Sequence, residues 1–152
     1  MNTAAEQHAN YQRVARAIHY LSARQATQPS LAELAAHVGI SEFHLQRIFT
    51  EWAGLSPKQF LQFLTKQNAK RLLRSSSVLD SALACGLSGS GRLHDLMIKA
   101  ERVTPGEYRS MGAGLQIHYG SCPSLYGHCF IAANHRGICK LAFYDEAQGE
   151  AE

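Results

Sequence analysis

Two groups of residues in this 152-residue sequence have the types and spacing to do chemistry. The first is the run SEFHLQRIFTEW, residues 41–52. At helical period its apolar positions Leu45, Ile48, Phe49 and Trp52 share one side, leaving Glu42, Phe43, Gln46, Arg47 and Thr50 on the other. Arg can bind guanine through two parallel hydrogen bonds, Gln can do the same with adenine, and an aromatic ring can meet a thymine methyl, so this face suits base edges. Phe43 is the informative member because it falls outside the apolar stripe; a surface staple against Leu31 or Ile40 explains it equally well. The second group is His118, Cys122, His128, Cys129, His135 and Cys139. These are zinc-ligand types, but no C-x2-C pair is present, and His128 and Cys129 would point to opposite faces of any strand. Buried thiols and surface imidazoles are the expectation, with no metal and no cofactor assigned.

The elements that must hold the first group are legible in caps and periodicity. Tyr11, Val14, Ala15, Ile18 and Leu21 mark one face of a first helix, and Gln25 to Gln28 breaks it. Ser30 and Glu33 form a capping box for a short helix from Leu31 to about Val38, and Gly39 sits where a left-handed cap is wanted. Ser41 caps the SEFHLQRIFTEW helix, which Gly54 ends. Ser56-Pro57-Lys58-Gln59 opens a long helix to about Arg74, with Phe60, Leu61, Leu64, Leu72 and Leu73 available for burial. After Ser75–Ser77 come a short helix from Val78 to Cys85, Gly86, a helix bearing Leu93, Leu96 and Met97, and a third capping box at Thr104-Pro105-Gly106-Glu107. From Leu115 the pattern alternates: LQIHYG, GHCFIAAN, a turn at His135-Arg136-Gly137 and ICKLAFYD read as a strand followed by a hairpin.

The helical pieces repeat. Leu31, Ala35, Gly39, Ile40 and Ser41 recur 47 residues later as Val78, Ala82, Gly86, Leu87 and Ser88. Leu45, Ile48, Phe49, Ser56, Pro57 and Phe60 recur 48 residues later as Leu93, Leu96, Met97, Thr104, Pro105 and Tyr108. Two units are too few for a solenoid and describe a duplicated helix-turn-helix joined by a long helix.

Charge follows the same division. The net charge is only +3, but residues 1–110 carry a balance of +5 and residues 111–152 one of −2. Lys66, Lys70, Arg71 and Arg74 recur at near-helical spacing, which suits a polyanion on one side or a solvated helix face. No apolar run approaches the ~18 residues of a membrane span, and the start lacks the layout of a signal peptide, so a cytoplasmic location is expected.

VGISEFHLQRIFTEWAGLSPKQFL resembles the first DNA-binding motif of the AraC-type transcriptional regulators, and VLDSALACGLSGSGRLHDLMIKAERVTPGEYR resembles their second. The similarity spans residues 9–110. It implies a mainly α fold: two helix-turn-helix subdomains joined by a long helix, placing two recognition helices in successive major-groove segments about one turn of DNA, ~34 Å, apart. Carried over by position, the resemblance makes Phe43, Gln46 and Arg47, with Glu42 beside them, the readers of the first helix. Ser90, Gly91, Arg92, His94 and Asp95 hold the corresponding positions of the second, with phosphate contacts at Ser41, Lys70 and Arg71. The second set departs from the family pattern: SGSG replaces larger polar residues, and Asp95 stands where a base would suit phosphate better. Arg92 and phosphate contacts are expected to be its contribution.

Within the segment 112–152, residues 112 to about 146 resemble the opening of the methylated-DNA–protein-cysteine methyltransferases, as joined to AraC-type motifs in Ada-like fused proteins. That implies the start of an incomplete ribonuclease-H-like subdomain, stable only if it packs on the helices. The family's acceptor cysteine lies in a Pro-Cys-His-Arg motif, which this sequence lacks; Cys122-Pro123 has the reverse order and Cys139 precedes Lys140. No counterpart of the N-terminal zinc domain of such proteins is present either. The chain as given is therefore expected to be no enzyme but a sequence-specific transcription regulator domain. Its expected partners are double-stranded DNA and RNA polymerase, with no membrane. The alternatives are a fragment of an O6-methylguanine-DNA methyltransferase whose catalytic Cys lies beyond this chain, and a helix-turn-helix pair serving protein contacts.

Overall fold

The computed structural model describes residues 4–145. It is mainly helical, in the order α1 (Ala4–Arg24), α2 (Leu31–Val38), α3 (Glu42–Ala53), α4 (Pro57–Leu72), α5 (Val78–Ala84), α6 (Ser90–Glu101) and α7 (Pro105–Arg109). Three strands follow: β1 (His118–Ser124), β2 (Gly127–Asn134) and β3 (Gly137–Tyr144). The chain divides into two compact units, Met1–Gly89 and Ser90–Glu152, with the boundary between α5 and α6. Residues 146–152 of the expected C-terminal segment lie outside the described residues.

In the first unit α1, α2 and α3 enclose a core of Val14, Ala17, Leu21, Leu34, Ala35, Val38, Leu45, Ile48, Phe49 and Leu61. The buried stripe of α1 is Asn10, Val14, Ala17 and Leu21, at steps of four, three and four. Val14 and Leu21 are buried as expected and Ile18 packs against the core, but Ala17 takes the inner place expected of Ala15, which is exposed. Tyr11 and Trp52 were also expected inside. They are half-exposed and stack edge to face at 5.7 Å instead, closing the rim between α1 and α3. Large rings with a polar atom are easily kept at such an edge, where only part of their area is buried.

Both capping boxes expected here form: Ser30 with Glu33, and Ser56 with Gln59. Gly39 adopts φ +77° and its N–H bonds the Ala35 carbonyl. Arg16 donates to the Val38 carbonyl at 3.1 Å, so α1 also helps to satisfy this C-terminal end of α2. The long helix α4 stops at Leu72 rather than Arg74: Ser75 and Ser76 N–H groups both bond the Leu72 carbonyl, which turns the chain out of the helix. Sixteen residues make a rod of about 24 Å. Leu61 and Leu73 are buried as expected, while Thr65 and Ala69 take the buried places between them.

A single side chain ties the far end of this unit together. The Gln28 amide nitrogen lies 2.8 Å from the Gln25 carbonyl, 3.0 Å from Thr65 Oγ1 on α4 and 3.0 Å from the Cys85 carbonyl at the end of α5. Thr65 in turn donates to the Leu61 carbonyl at 2.8 Å. The close approach this demands explains Gly86. At φ +74°, a Cβ there would sit 1.9 Å from the Ala26 carbonyl oxygen, whereas one on Gly39 would meet nothing within 4 Å.

The second unit holds α6, α7 and an antiparallel sheet of order β1-β2-β3. The first strand begins at His118, so Leu115, Gln116 and Ile117 were wrongly expected in it, and it continues through Cys122-Pro123. Pro123 is accommodated because β1 pairs only with β2, leaving an edge where the missing N–H costs no ladder bond. The sheet does pack on helices. Asn134, buried at the end of β2, donates from Nδ2 to the Arg102 carbonyl at 2.7 Å, and Arg136 forks onto Glu107 at 2.9 and 3.0 Å. Glu107 also completes the Thr104 capping box of α7.

Two outcomes are expected. Gly39→Ala should cost about 1–2 kcal/mol for the left-handed backbone alone; Gly86→Ala, which adds a backbone clash, should lower the urea midpoint markedly further. In the second unit the Arg136 guanidinium and the Thr104 N–H hold the Glu107 carboxyl down to about 2 from its usual 4.5. A carboxyl depressed by folding adds stability that is complete above the unfolded value and lost as pH falls through the folded one. The stability of the folded chain against urea should therefore fall between about pH 4.5 and 2, and Glu107→Gln should remove that limb of the pH dependence.

Candidate nucleic-acid interface

The geometry of α3 starts at its cap. Ser41 Oγ accepts from the His44 N–H at 3.3 Å, fixing where the helix begins. Leu45, Ile48 and Phe49 have 0% exposure, so the inner side of α3 is wholly committed to the core. Glu42, Phe43, Gln46, Arg47 and Thr50 are all exposed on the opposite side, as the helical period requires. Phe43 stands 82% exposed, which rules out burial as a staple. With Leu31, Glu42, Gln46, Arg47 and Thr50 it borders a shallow recess of about 360 Å³.

Arg47 is restrained along the helix. One guanidinium nitrogen is 3.8 Å from Glu51 Oε2 and another 3.4 Å from His44 Nδ1, with the Arg47 side chain half-exposed. Glu51 is a partner that sequence reasoning missed, although its spacing of four residues from Arg47 was a usable signal. Gln46 also borders a cleft of about 420 Å³ that Ser30, Ser56 and Lys58 line.

The residues expected to meet phosphate differ in their surroundings. Ser41 is exposed, with its hydroxyl engaged in the cap. Arg71 is exposed and donates to Asn68 Oδ1 at 2.8 Å, while Lys70 is half-buried. Both lie in the last turn of α4, where positive charge also favours the helix dipole.

On α6, Ser90, Gly91, Arg92, His94 and Asp95 are exposed and Leu93 and Met97 are fully buried. His94 Nδ1 lies 3.8 Å from Asp95 Oδ1, so the acidic residue that departs from the expected pattern has a neighbour on its own helix. Each expected set of readers thus occupies the solvent side of its own helix.

The cysteines form no comparable site. Cys85 is buried with Sγ 3.8 Å from the Thr65 carbonyl, and burial raises its thiol pKa. Cys122, Cys129 and Cys139 are free thiols of the sheet. Among the described residues no three His, Cys, Asp or Glu side chains gather as metal ligands, and no helix is long and apolar enough to cross a membrane.

Residues 34–111, just over half the chain, match a family model described as a helix-turn-helix domain. A transcriptional regulator from Chromobacterium violaceum, described as an AraC-type DNA-binding domain-containing protein, superposes with a TM-score of 0.62 at 27% identity, covering 68% of this chain and 94% of that one. The chain belongs to the AraC-type helix-turn-helix family. The DNA-binding domain of AdpA, a global transcriptional factor solved in complex with a target DNA, has a TM-score of 0.62 at 25% identity, covering 66% of this chain and 93% of that one. The bifunctional transcriptional activator/DNA repair enzyme Ada of Escherichia coli strain K12 is 29% identical over 123 residues, which is 80% of this chain and 35% of Ada. The regulatory protein ada of Salmonella typhimurium is 28% identical over 77% of this chain and 33% of its own length. The chain spans about a third of the length of these two relatives.

The contrast between the two sides of α3 sets an expectation for stability. Phe43→Ala should leave the unfolding free energy within about 0.5 kcal/mol of the parent, as for an exposed substitution. Leu45→Ala, two residues along on the buried side, should cost about 2–5 kcal/mol in the same denaturation experiment.

Proposed function

We propose that the chain is the sequence-reading part of a transcription regulator, setting the exposed sides of α3 and α6 into successive major-groove segments of duplex DNA. One observation carries the reading: α3 buries Leu45, Ile48 and Phe49 completely while presenting Phe43, Gln46 and Arg47, with Glu42 beside them, to solvent. These are an apolar plate, an adenine-type partner and a guanine-type partner on one helix face. Residues 9–110 are the reading segment in this proposal, with Arg92, Ser90, Gly91 and His94 serving the second contact and Ser41, Lys70 and Arg71 the phosphates. The AraC-type relatives, one of them solved on its target DNA, support it. RNA polymerase is the further partner such a regulator would meet in the cytoplasm.

The likeness to Ada favours a second, finer reading. Residues 112–152 would then open the methyltransferase portion of a longer alkylation-repair protein, with the acceptor cysteine outside this sequence. On that reading the chain by itself transfers no methyl group from DNA bearing O6-methylguanine, and stoichiometric labelling of any of its cysteines would refute it.

Selection from randomised duplex DNA tests the main proposal, with an enriched site of two blocks as the expected result. On that site Arg47→Ala should weaken binding by about 1–3 kcal/mol and relax the preference at one position. Arg71→Ala should instead weaken all sequences alike and reduce the salt slope by about one. Failure to enrich any motif would sink the proposal, and binding with no salt dependence would favour a role in protein contacts.

A further inference from the structure

The C-terminal sheet is joined to the end of α6 by a connected polar cluster. Arg102, the residue after α6, has φ +58°, a left-handed backbone that a side chain rarely adopts. Its carbonyl accepts from Asn134 Nδ2 at 2.7 Å and lies 3.4 Å from Arg136 Nη1. The Asn134 side chain accepts from the Arg136 N–H at 2.8 Å through Oδ1, so the turn between β2 and β3 is itself locked. Arg136 then forks onto Glu107, at N3 of α7. Gly137, which opens β3 beside the Arg102 side chain, has φ +125°, a backbone conformation that side chains rarely adopt. All these groups belong to the unit Ser90–Glu152, which also contains the exposed readers of α6.

The opposite end of α6 is intrinsically weak. Gly91 lies in its first turn, where it lowers helix stability relative to Ala. The firm connections of α6 are therefore its buried Leu93 and Met97 and the cluster at its C-terminal end. A polar network with every member satisfied specifies one arrangement, because any displacement leaves a buried Asn or a carbonyl without its partner.

We infer that the sheet is a brace for the second reading helix: Asn134 and Arg136 are positioning residues that set the direction of α6 through the Arg102 carbonyl and Glu107, without themselves being base readers. This rests on the proposal that α6 reads DNA. The sheet then contributes to sequence preference in this chain, whatever other subdomain it opens.

Base-resolved protection of a selected two-block site tests it. Arg47→Ala and Arg92→Ala first assign one block to α3 and the other to α6. Arg136→Ala is expected to weaken protection of the α6 block by about 5- to 10-fold, the size of a modest coupling between sites, and to leave the α3 block unchanged. Asn134→Ala should do the same. Equal loss in both blocks, or no change in either, overturns the inference while the DNA-reading proposal stands. If Arg92→Ala changes no protection at all, α6 is not a reader and the inference falls with that reading. Should Arg136→Ala lose its helical circular dichroism, Arg136→Lys carries the same test, since it keeps the charge but not the two-point fork.

Discussion

A twelve-residue helix is marginal in water on its own, and α3 has no special intrinsic propensity to rescue it. Its existence depends on the complete removal of Leu45, Ile48 and Phe49 from solvent, against residues contributed by α1 and α2. The same burial fixes the rotation of α3 about its axis. Once three side chains are locked inward, the period of the helix dictates that Phe43, Gln46 and Arg47 point outward. Polar groups with no role in folding are thereby held at fixed angles, which a flexible loop could not achieve. Phe43 stands in water on that outer side, where its ring adds nothing to the buried core of α3.

The long helix α4 extends this order. Gln28 reaches three acceptors from three segments, and Gly86 lets α5 approach closely enough for its terminal carbonyl to be one of them. Two positions with the same sequence appearance therefore have different physics. Gly39 supplies only a backbone conformation, whereas Gly86 supplies that conformation and the space for another segment's carbonyl.

Most of the helical architecture was legible because its signals are local. Ser30, Ser56 and Thr104, each followed three residues later by Glu or Gln, place three helix starts without any tertiary knowledge, and the 47- and 48-residue repeat exposes the duplication. The exposed side of α3 was legible for the same reason, through periodicity on a single helix. What escaped was decided by contacts distant in sequence. Tyr11 and Trp52 count as apolar in any pattern, but whether they sit inside or at a rim depends on the meeting of two helices. Thr65 looks like a surface residue until Gln28 is seen to bond it. The link between Arg136 and Glu107 spans 29 residues, and no pattern connects a turn arginine to a helix-capping glutamate. The first strand was begun too early because Leu115 and Ile117 continue the alternation, and no local signal says where pairing with β2 starts.

The sheet has two outer margins of unequal character. Pro123 blunts β1, while β3 offers its backbone from Gly137 to Tyr144 with Leu141 and Phe143 about half-exposed and Lys140 as the interrupting charge. An open ladder flanked by apolar side chains is a template for another strand of the same kind. Lys140 is the one charge that blunts this edge, and a second charge on the same strand would blunt it further.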